Sequence, residues 1–169
     1  MIVILGYTGL IGDSIFKNLV KNTSVDLICV GRNTKRRPYI NSRIKYQKWD
    51  FTSFKKSNLI FLNKANIIIN CVGKTNNYSD NLEDINVFFL KKLLNHINKK
   101  KLRVRLIHLS SIAVYGNGKN FLGQNKIIYE NSSTMEDDLY SKSKIRADLL
   151  IKNVIKKKLN KNFSYTILR

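Results

Sequence analysis

The chain has 169 residues, 43% of them hydrophobic, which predicts one globular domain over residues 1–169 and excludes a disordered chain. No apolar run reaches the roughly 20 residues of a membrane span, and the N-terminus predicts a strand rather than a signal peptide. The net charge of +20 raises the question of a nucleic-acid partner. The lysine runs lie in different segments with no interleaved aromatic residues, so we expect a basic solvated surface instead.

Short apolar runs alternate along the chain with amphipathic stretches. The runs predict six strands, at residues 2–5, 25–30, 44–49, 66–72, 104–109 and 163–168. Apolar residues at helical spacing predict three helices. The first buries Ile11, Ile15 and Leu19, and the second buries Ile85, Phe89, Leu93 and Ile97. The third covers about residues 137–159 and buries Leu150, Ile151, Val154, Ile155 and Leu159, and a weaker helical pattern covers residues 53–64.

This alternation predicts an α/β fold of the Rossmann type, a doubly wound parallel sheet with helices on both faces. With right-handed crossovers, the expected strand order is 3-2-1-4-5-6. The irregular stretch at residues 115–136 is long for a connection and is expected to act as a binding loop or lid. Cys29 and Cys71 are predicted to be free thiols, as is usual in the reducing cytoplasm, and no metal site is predicted.

A glycine-rich turn, GYTGLIG at residues 6–12, follows the first strand and opens the first helix. Gly6 permits the tight turn, Gly9 lets backbone amides approach a phosphate, and Gly12 lets the helix pack closely on the strand. An anion at this helix N-terminus meets free N–H groups and a favourable dipole. The segment predicts a dinucleotide-phosphate site formed by Gly6, Thr8, Gly9, Leu10, Ile11 and Gly12.

A second motif combines Tyr140 and Lys144, which lie one turn apart on the third predicted helix and therefore on one face. Tyrosine has a pKa near 10 and is a poor acid–base catalyst at neutral pH. A neighbouring ammonium group stabilises the phenolate and lowers that pKa. Tyr140 could then exchange a proton with a substrate hydroxyl or carbonyl.

These motifs resemble the extended short-chain dehydrogenase/reductase family, which includes the NAD-dependent epimerases and dehydratases of nucleotide-activated sugars. The resemblance lies in the G-x-x-G-x-x-G spacing, the Tyr-x-x-x-Lys motif and the segment SSIAVYG at residues 110–116, which is similar to the family's S-S-x-x-V-Y-G. It implies that Ser111 (with Ser110 as the alternative), Tyr140 and Lys144 are catalytic, and that Lys144 also holds the nicotinamide ribose. It further implies cofactor contacts by Asp50, Phe51, Val72, Gly73 and Asn86.

The end of the second strand bears on the choice of cofactor. NAD-specific members usually carry an acidic residue there, whereas this chain has Gly31 followed by Arg32. An arginine can pair with the 2′-phosphate of NADP and stack on adenine, and Lys35, Arg36 and Arg37 add positive charge. We therefore predict NADP, with NAD as the alternative.

The family's dehydratases place an Asp-Glu pair where this chain has Ile112 and Ala113, so an epimerase or ketoreductase acting on a nucleotide-activated sugar is expected. The resemblance implies a cytoplasmic enzyme of polysaccharide biosynthesis and leaves homodimer formation open. The family pattern continues beyond Arg169 into a substrate-binding region that this sequence lacks. The alternatives are therefore a catalytically silent NADP-binding module or fragment and, less favoured, a basic nucleic-acid-binding protein.

Overall fold

Six parallel strands form one sheet in the order β3-β2-β1-β4-β5-β6, which confirms the predicted Rossmann-type α/β topology. The computed structural model describes residues 1–32, 39, 41–52, 59–75, 81–116 and 127–169. The strands are β1 (Ile2–Leu5), β2 (Leu27–Gly31), β3 (Ile44–Lys48), β4 (Ile67–Asn70), β5 (Val104–Leu109) and β6 (Phe163–Leu168). The bounds of β1, β5 and β6 are those predicted.

The first strand lies at the centre and fixes the register of its two neighbours. Ile2 pairs with Leu27 of β2 on one side and with Ile67 of β4 on the other. β4 is shorter than the predicted strand because the Asn70 side chain accepts a hydrogen bond from the Val72 N–H (3.1 Å) where the chain turns out of the sheet. The carboxyl ends of β1, β2 and β4 therefore open onto one edge, where the glycine-rich turn also lies.

Helices cover both faces of the sheet. They are α1 (Leu10–Asn22), α2 (Phe89–Lys99) and α3 (Leu139–Lys156), with a π-helical turn, Asp84–Phe88, leading into α2 and short 3-10 helices at Leu59–Leu62 and Ile112–Tyr115. α1 packs its Phe16 against Ile4 and Cys29 on one face. α2 and α3 cover a larger core on the other face, which includes Val3, Leu5 and Ile68. The periodicity of Ile85, Phe89, Leu93 and Ile97 is confirmed, since all four are buried.

The face that α1 buries differs from the prediction. Ile11 is 54% exposed, and Ile15 and Leu19 are only half-buried, whereas Gly12 and Phe16 are buried. The reason is the close contact of Gly12 with the turn below it, because a β-carbon at Gly12 would lie 2.2 Å from the Gly6 carbonyl oxygen. This contact rotates the residues at positions 12 and 16 towards the sheet.

The third helix is also shorter than predicted. It begins after its N-cap Asp138 and ends at Lys156, before Lys158 adopts a φ of +49°. Ile151 and Val154 are buried and Leu150 is half-buried, but Ile155 and Leu159 are each 42% exposed, so the predicted apolar face ends about one turn early. Beyond the helix end, helical spacing no longer decides which side chains face the core.

Other predictions fall partly on residues outside the described ranges. Of the weak helical pattern at 53–64, residues 53–58 lie outside them, and the rest contains the 3-10 helix Leu59–Leu62. Residues 117–126 of the long loop also lie outside them. Cys29 and Cys71 are free thiols, as predicted. No helix among the described residues has the length and apolar character needed to cross a bilayer.

Candidate active site

The glycine-rich turn takes a conformation that its sequence requires. Gly6 has a φ of +81°, and a β-carbon there would lie 3.1 Å from the Cys71 carbonyl group. Gly9 is the N-cap of α1, with an ordinary φ of −80°, and a β-carbon there would meet only the Gly6 carbonyl oxygen, at 3.4 Å. The backbone around Gly6 and Gly12 thus leaves no room for a side chain. The space beside Gly9 is open and lies at the N-terminus of α1.

A cavity of about 250 Å³ lies against this turn, at the carboxyl ends of β1, β2 and β4. It brings together seven of the predicted cofactor residues: Gly6, Thr8, Gly9, Arg32, Phe51, Val72 and Gly73. Cys71, Lys74 and Ile85 complete its lining and were not among the predicted cofactor residues. The predicted Leu10, Ile11, Gly12, Asp50, Asn86 and Lys144 lie outside this lining, and their cofactor contacts stay predictions.

Asp50 and Phe51, both predicted to contact the cofactor, lie in different surroundings. Phe51 is buried and packs edge-on against Phe89, with ring centroids 5.0 Å apart. Asp50 is exposed and accepts hydrogen bonds from the Thr52 amide (3.0 Å) and hydroxyl (2.7 Å). Phe51 therefore forms an apolar wall of the cavity, and Asp50 shapes the turn after β3.

The residue predicted to select NADP over NAD, Arg32, follows the end of β2 and reaches the cavity. Arg32 is exposed and lines it. Gly31, just before it, lies so close to Tyr7 that a β-carbon would come within 3.0 Å of the tyrosine ring. A carboxylate side chain at residue 31 would therefore crowd Tyr7 as well as repel a phosphate. Lys35, Arg36 and Arg37 lie outside the described residues.

Asn86, on the π-helical turn, acts as a buried bridge. Its amide accepts a hydrogen bond from the Lys74 N–H (2.9 Å) and donates to the Lys74 carbonyl (2.9 Å) and to the Ser143 hydroxyl (2.9 Å). Both N–H groups of the amide are used in this way. Asn86 thereby ties the segment after β4, which lines the cavity, to α3.

Lys144 is the buried cation of the site. Its side chain is only 4% exposed, and its ammonium group donates to the Leu109 carbonyl at 2.9 Å. A β-carbon at Gly73 would lie 3.2 Å from the Lys144 Nζ, so this ammonium stands beside the cavity wall. Burial lowers the pKa of Lys144 to about 8, although the nearby Asp148 carboxylate acts in the opposite direction.

The predicted serine and tyrosine lie on the elements next to this lysine. Ser111 is the N-cap of the 3-10 helix Ile112–Tyr115, and its hydroxyl accepts a hydrogen bond from the Ala113 N–H (3.2 Å). Tyr140 is half-buried at the second residue of α3, one turn before Lys144. Since α3 packs against the 3-10 helix, the fold brings the three predicted catalytic segments to the same edge of the sheet.

Asp148 and Arg169 were not identified as partners from the sequence. The Asp148 side chain is buried, and it forms an ion pair with Arg169 at 3.0 Å. Burial raises the pKa of Asp148, opposed by the nearby Ser110 hydroxyl and Arg169. The Ser110 Oγ and the Asp148 Oδ1 are buried, and neither has a hydrogen-bond partner among the described residues. The position of Asp148, four residues after Lys144 on one helix, is the only signal in the sequence.

A second buried polar pair lies below the site. The Asn70 amide donates to the His108 Nδ1 at 3.0 Å, and both residues are 1% exposed. Because Nδ1 accepts, the neutral ring carries its proton on Nε2, which has no hydrogen-bond partner among the described residues. Burial and the charge of Lys144 lower the pKa of His108 to about 3, so the ring stays neutral.

A larger concavity, about 780 Å³, runs along β6. Its lining includes Ile112, which directly follows Ser111, together with Tyr129, Lys152 and Arg169. Tyr129 is 62% exposed and Ile112 is also 62% exposed. An apolar and aromatic surface with two cationic groups therefore adjoins the serine segment.

Solved structures share this fold. UDP-glucuronic acid 4-epimerase from Bacillus cereus, in complex with NAD, matches with a TM-score of 0.81 and 17% identity over 99% of this chain and 55% of that one. MoeE5 in complex with UDP-glucose and NAD matches with 0.80 and 19%, over 99% and 53%. A UDP-galactose 4-epimerase matches with 0.72 and 17%, over 92% and 51%. The chain thus spans about half the length of these proteins.

No curated protein sequence matches the chain. At 17–19% identity, the solved structures support the fold alone. The family model is more informative, because the model of the NAD dependent epimerase/dehydratase family matches residues 2–169. The resemblance inferred from the glycine, serine and tyrosine–lysine motifs is therefore confirmed, and the chain belongs to the NAD dependent epimerase/dehydratase family.

Proposed function

We propose that this chain is the cofactor-binding part of an NADP-dependent epimerase or ketoreductase that acts on a nucleotide-activated sugar. The observation that carries the proposal is the position of Lys144. Its buried ammonium group is bound by the Leu109 carbonyl beside the serine segment and stands next to Gly73 in the wall of the glycine-lined cavity. The Lys144 ammonium group can therefore bind a cofactor in the cavity and also stabilise the phenolate of Tyr140, one helical turn away.

The residues present fit a dinucleotide. The open side of Gly9 and the N-terminus of α1 offer N–H groups to phosphate oxygens, and a side chain at Gly73 would meet Lys144 and Asn86. Phe51 supplies an apolar wall, and Arg32 supplies a cation at the end of β2. When bound, a nicotinamide cofactor supplies the hydride acceptor and donor. Arg32 supports NADP in this chain, although the solved relatives contain NAD.

The chain's own residues would transfer the proton to and from the substrate oxygen. The Ser111 hydroxyl already accepts from the Ala113 N–H and has its own proton to donate to a substrate oxygen. Lys144, protonated below its pKa of about 8, would favour the phenolate of Tyr140 by charge. Tyr140 would then take the proton from a sugar hydroxyl or return it to a carbonyl. Ile112 and Ala113 carry no acid or base, which favours epimerisation or reduction over water elimination.

The substrate class rests on the family and on what the solved relatives bind. Two of them were solved with UDP-glucuronic acid or UDP-glucose. In this chain, the concavity beside Ile112 offers Tyr129, Lys152 and Arg169 to a nucleotide or sugar. The free thiols Cys29 and Cys71 support a reducing compartment such as the cytoplasm. A role in polysaccharide biosynthesis and a homodimer stay predictions.

The test is a single-turnover experiment with Tyr140→Phe. Bound NADP or NADPH is mixed with UDP-glucose or UDP-glucuronic acid, and the near-ultraviolet absorbance of the reduced cofactor is followed. The wild type is expected to show a substrate-dependent change, and Tyr140→Phe should slow it by about 10²–10⁴-fold while keeping cofactor affinity. Tyr39→Phe, at the far side of the sheet beside Tyr46, is the matched control and should react at the wild-type rate.

Two outcomes would contradict this proposal. A wild-type rate in Tyr140→Phe would remove the tyrosine from the chemistry. Cofactor binding with no substrate-dependent absorbance change in the wild type would favour the catalytically silent NADP-binding module.

A further inference from the structure

Two lysine-rich loops meet at the amino-terminal edge of the sheet, opposite the glycine-rich turn. One loop joins α2 to β5 and the other joins α3 to β6. Because β5 and β6 are parallel neighbours, the loops that lead into them lie side by side. The Lys101 ammonium group donates to the Leu159 carbonyl at 2.6 Å, which links the two loops directly.

This edge concentrates positive charge that is dispersed along the sequence. Residues 62–69, 97–109 and 156–168 contain no aspartate or glutamate. We define the basic edge as their exposed basic residues, Lys64, Lys99, Lys100, Lys101, Arg103, Arg105, Lys156, Lys157, Lys158 and Lys161. So many like charges on one surface repel one another, and they create a strong positive potential for an anionic partner.

A groove of about 280 Å³ lies on the same edge. Its lining consists of Val104 and five residues with polar or cationic side chains: Asn66, Arg103, Arg105, Asn162 and Ser164. The Arg105 guanidinium donates to the Thr166 hydroxyl of the neighbouring strand at 2.9 Å. Guanidinium, amide and hydroxyl donors are the groups that proteins use to contact phosphate oxygens.

The backbone of the two loops places a lysine at the left-handed end of each preceding helix. Lys101 and Lys158 have φ values of 48° and 49°, and among the described residues they are the two non-glycine positions with positive φ. This conformation favours glycine or asparagine over a long side chain. Each loop therefore carries a lysine in the one conformation where lysine is disfavoured. In both loops this residue closes a helix, because the next N–H group bonds back into the last turn: Leu102 N–H donates to the Ile97 carbonyl at 3.0 Å, and Leu159 N–H donates to the Val154 carbonyl at 3.1 Å.

We propose that the basic edge binds the phosphate backbone of a double-stranded nucleic acid. The fold gathers lysine runs that the sequence places far apart, and the groove beside them carries phosphate donors. Phe163, the aromatic residue nearest the loops in sequence, is only 4% exposed, so it offers no platform for unstacked bases. The surface is opposite the dinucleotide cavity, so the two sites bind their ligands independently.

A membrane surface fits these observations less well. The apolar side chains exposed near the loops are Ile155 and Leu159, each 42% exposed. Membrane-surface helices instead bury a continuous apolar face in the headgroup region. The amide and hydroxyl groups of the groove are better matched to a fixed row of phosphates.

The test compares two variants that lose the same charge. The edge variant carries Lys99→Gln, Lys100→Gln and Lys157→Gln, and the control variant carries Lys45→Gln, Lys48→Gln and Lys91→Gln, all at exposed positions. Binding of a short labelled duplex, DNA or RNA, is measured by fluorescence anisotropy against salt concentration. Each lost phosphate contact should reduce the slope of log K against log salt by about 0.9.

The edge variant should therefore lose up to about 2.7 in slope and bind about 100-fold more weakly near 0.15 M salt. The control variant should keep nearly the wild-type slope, and NADP affinity should be unchanged in both. Equal losses in the two variants would mean a general charge effect and overturn the proposal. Tighter binding to phosphatidylserine vesicles than to the duplex, or no duplex binding near 0.15 M salt, would overturn it too.

Lys158→Asn provides a second readout that separates binding from folding. Asparagine accepts the left-handed conformation, so the thermal midpoint should be no lower than that of the wild type. Duplex affinity should nevertheless fall, because one charge is lost from the edge. Unchanged duplex affinity in Lys158→Asn would overturn the role of this strained lysine.

Discussion

Arg169 donates two hydrogen bonds to one carboxylate oxygen of Asp148, from Nε at 3.1 Å and from Nη2 at 3.0 Å. Its Nη1 also donates to the Tyr115 hydroxyl at 2.6 Å. These contacts join the end of β6 to α3 and to the 3-10 helix that follows Ser111. Asp148 in turn lies one helical turn after Lys144, and its carboxylate raises the pKa of that lysine. The ion pair therefore couples the end of the sheet to the electrostatics of the proposed catalytic lysine.

Asp148→Asn is expected to change the pH dependence of cofactor binding. In the wild type, cofactor affinity should fall as the pH rises through about 8, where Lys144 loses its proton. Because Asp148 raises the Lys144 pKa, its removal should move that midpoint to lower pH, as measured by cofactor titration across pH. Breaking the buried pair should also reduce the free energy of unfolding by about 3 kcal/mol.

Glu83→Gln is the control for this experiment. Glu83 pairs with Arg146 on the same helix, but that pair is exposed to solvent. The variant should keep both the wild-type midpoint and nearly the wild-type stability, since exposed pairs contribute about 0–1 kcal/mol. An unshifted midpoint in Asp148→Asn would mean that Asp148 does not act on Lys144.

Arg32→Ala is expected to remove a preference for NADP over NAD. A charge-assisted contact to phosphate contributes about 1.5–3 kcal/mol, so NADP affinity should fall roughly 10- to 100-fold while NAD affinity changes little. Titration of both cofactors measures the ratio. Arg103→Ala, which removes an exposed arginine far from the cavity, should leave the ratio unchanged. Equal wild-type affinities for the two cofactors would contradict the NADP assignment.

The glycines of the turn should respond differently to substitution. Gly12→Ala places a β-carbon 2.2 Å from the Gly6 carbonyl oxygen, so α1 must shift, and urea unfolding should show a loss of about 1–3 kcal/mol. Gly9→Ala meets that oxygen only at 3.4 Å and should fold normally.

Gly9→Val should also fold but lose cofactor affinity, because its branched side chain occupies space at the N-terminus of α1. Retained NADP affinity in a folded Gly9→Val protein would place the phosphate site elsewhere.

His108 should make the fold sensitive to acid. Its folded pKa of about 3 lies below the ordinary value of 6.5, so the unfolded chain binds the proton first as the pH falls. Its stabilising contribution is complete above the unfolded pKa and is lost on acidification, by about 1.4 kcal/mol per pH unit between roughly pH 6 and 4. Urea unfolding at several pH values measures this slope.

Substitution separates the two histidines. His108→Gln should flatten the dependence on pH, whereas His96→Gln, at a less buried position, should leave most of it. A wild-type slope in His108→Gln would show that other groups cause the acid sensitivity.

Local patterns in the sequence were sufficient for the strand order, the glycine-rich turn and the buried face of α2. The strand order follows from the alternation of strands and helices with right-handed crossovers. The turn and the buried face of α2 depend on residues close together in the chain, such as Ile85 and Phe89, whose spacing determines which side of a helix is apolar. The same reasoning was wrong for Ile11 in α1. There, a contact between Gly12 and the Gly6 carbonyl, rather than the apolar period, sets the rotation of the helix.

What the sequence by itself determined is the family, the topology and the identity of the residues that carry the proposed chemistry. Only the tertiary structure decided which distant residues meet: Asn70 with His108, Asp148 with Arg169, and the lysines of two separate loops. The physical reason is that hydrophobic periodicity specifies the buried face of each element but not which polar groups end up side by side. Those pairings follow from how neighbouring strands and helices pack together. The same packing buries Lys144 and His108, and this burial lowers the pKa of both side chains.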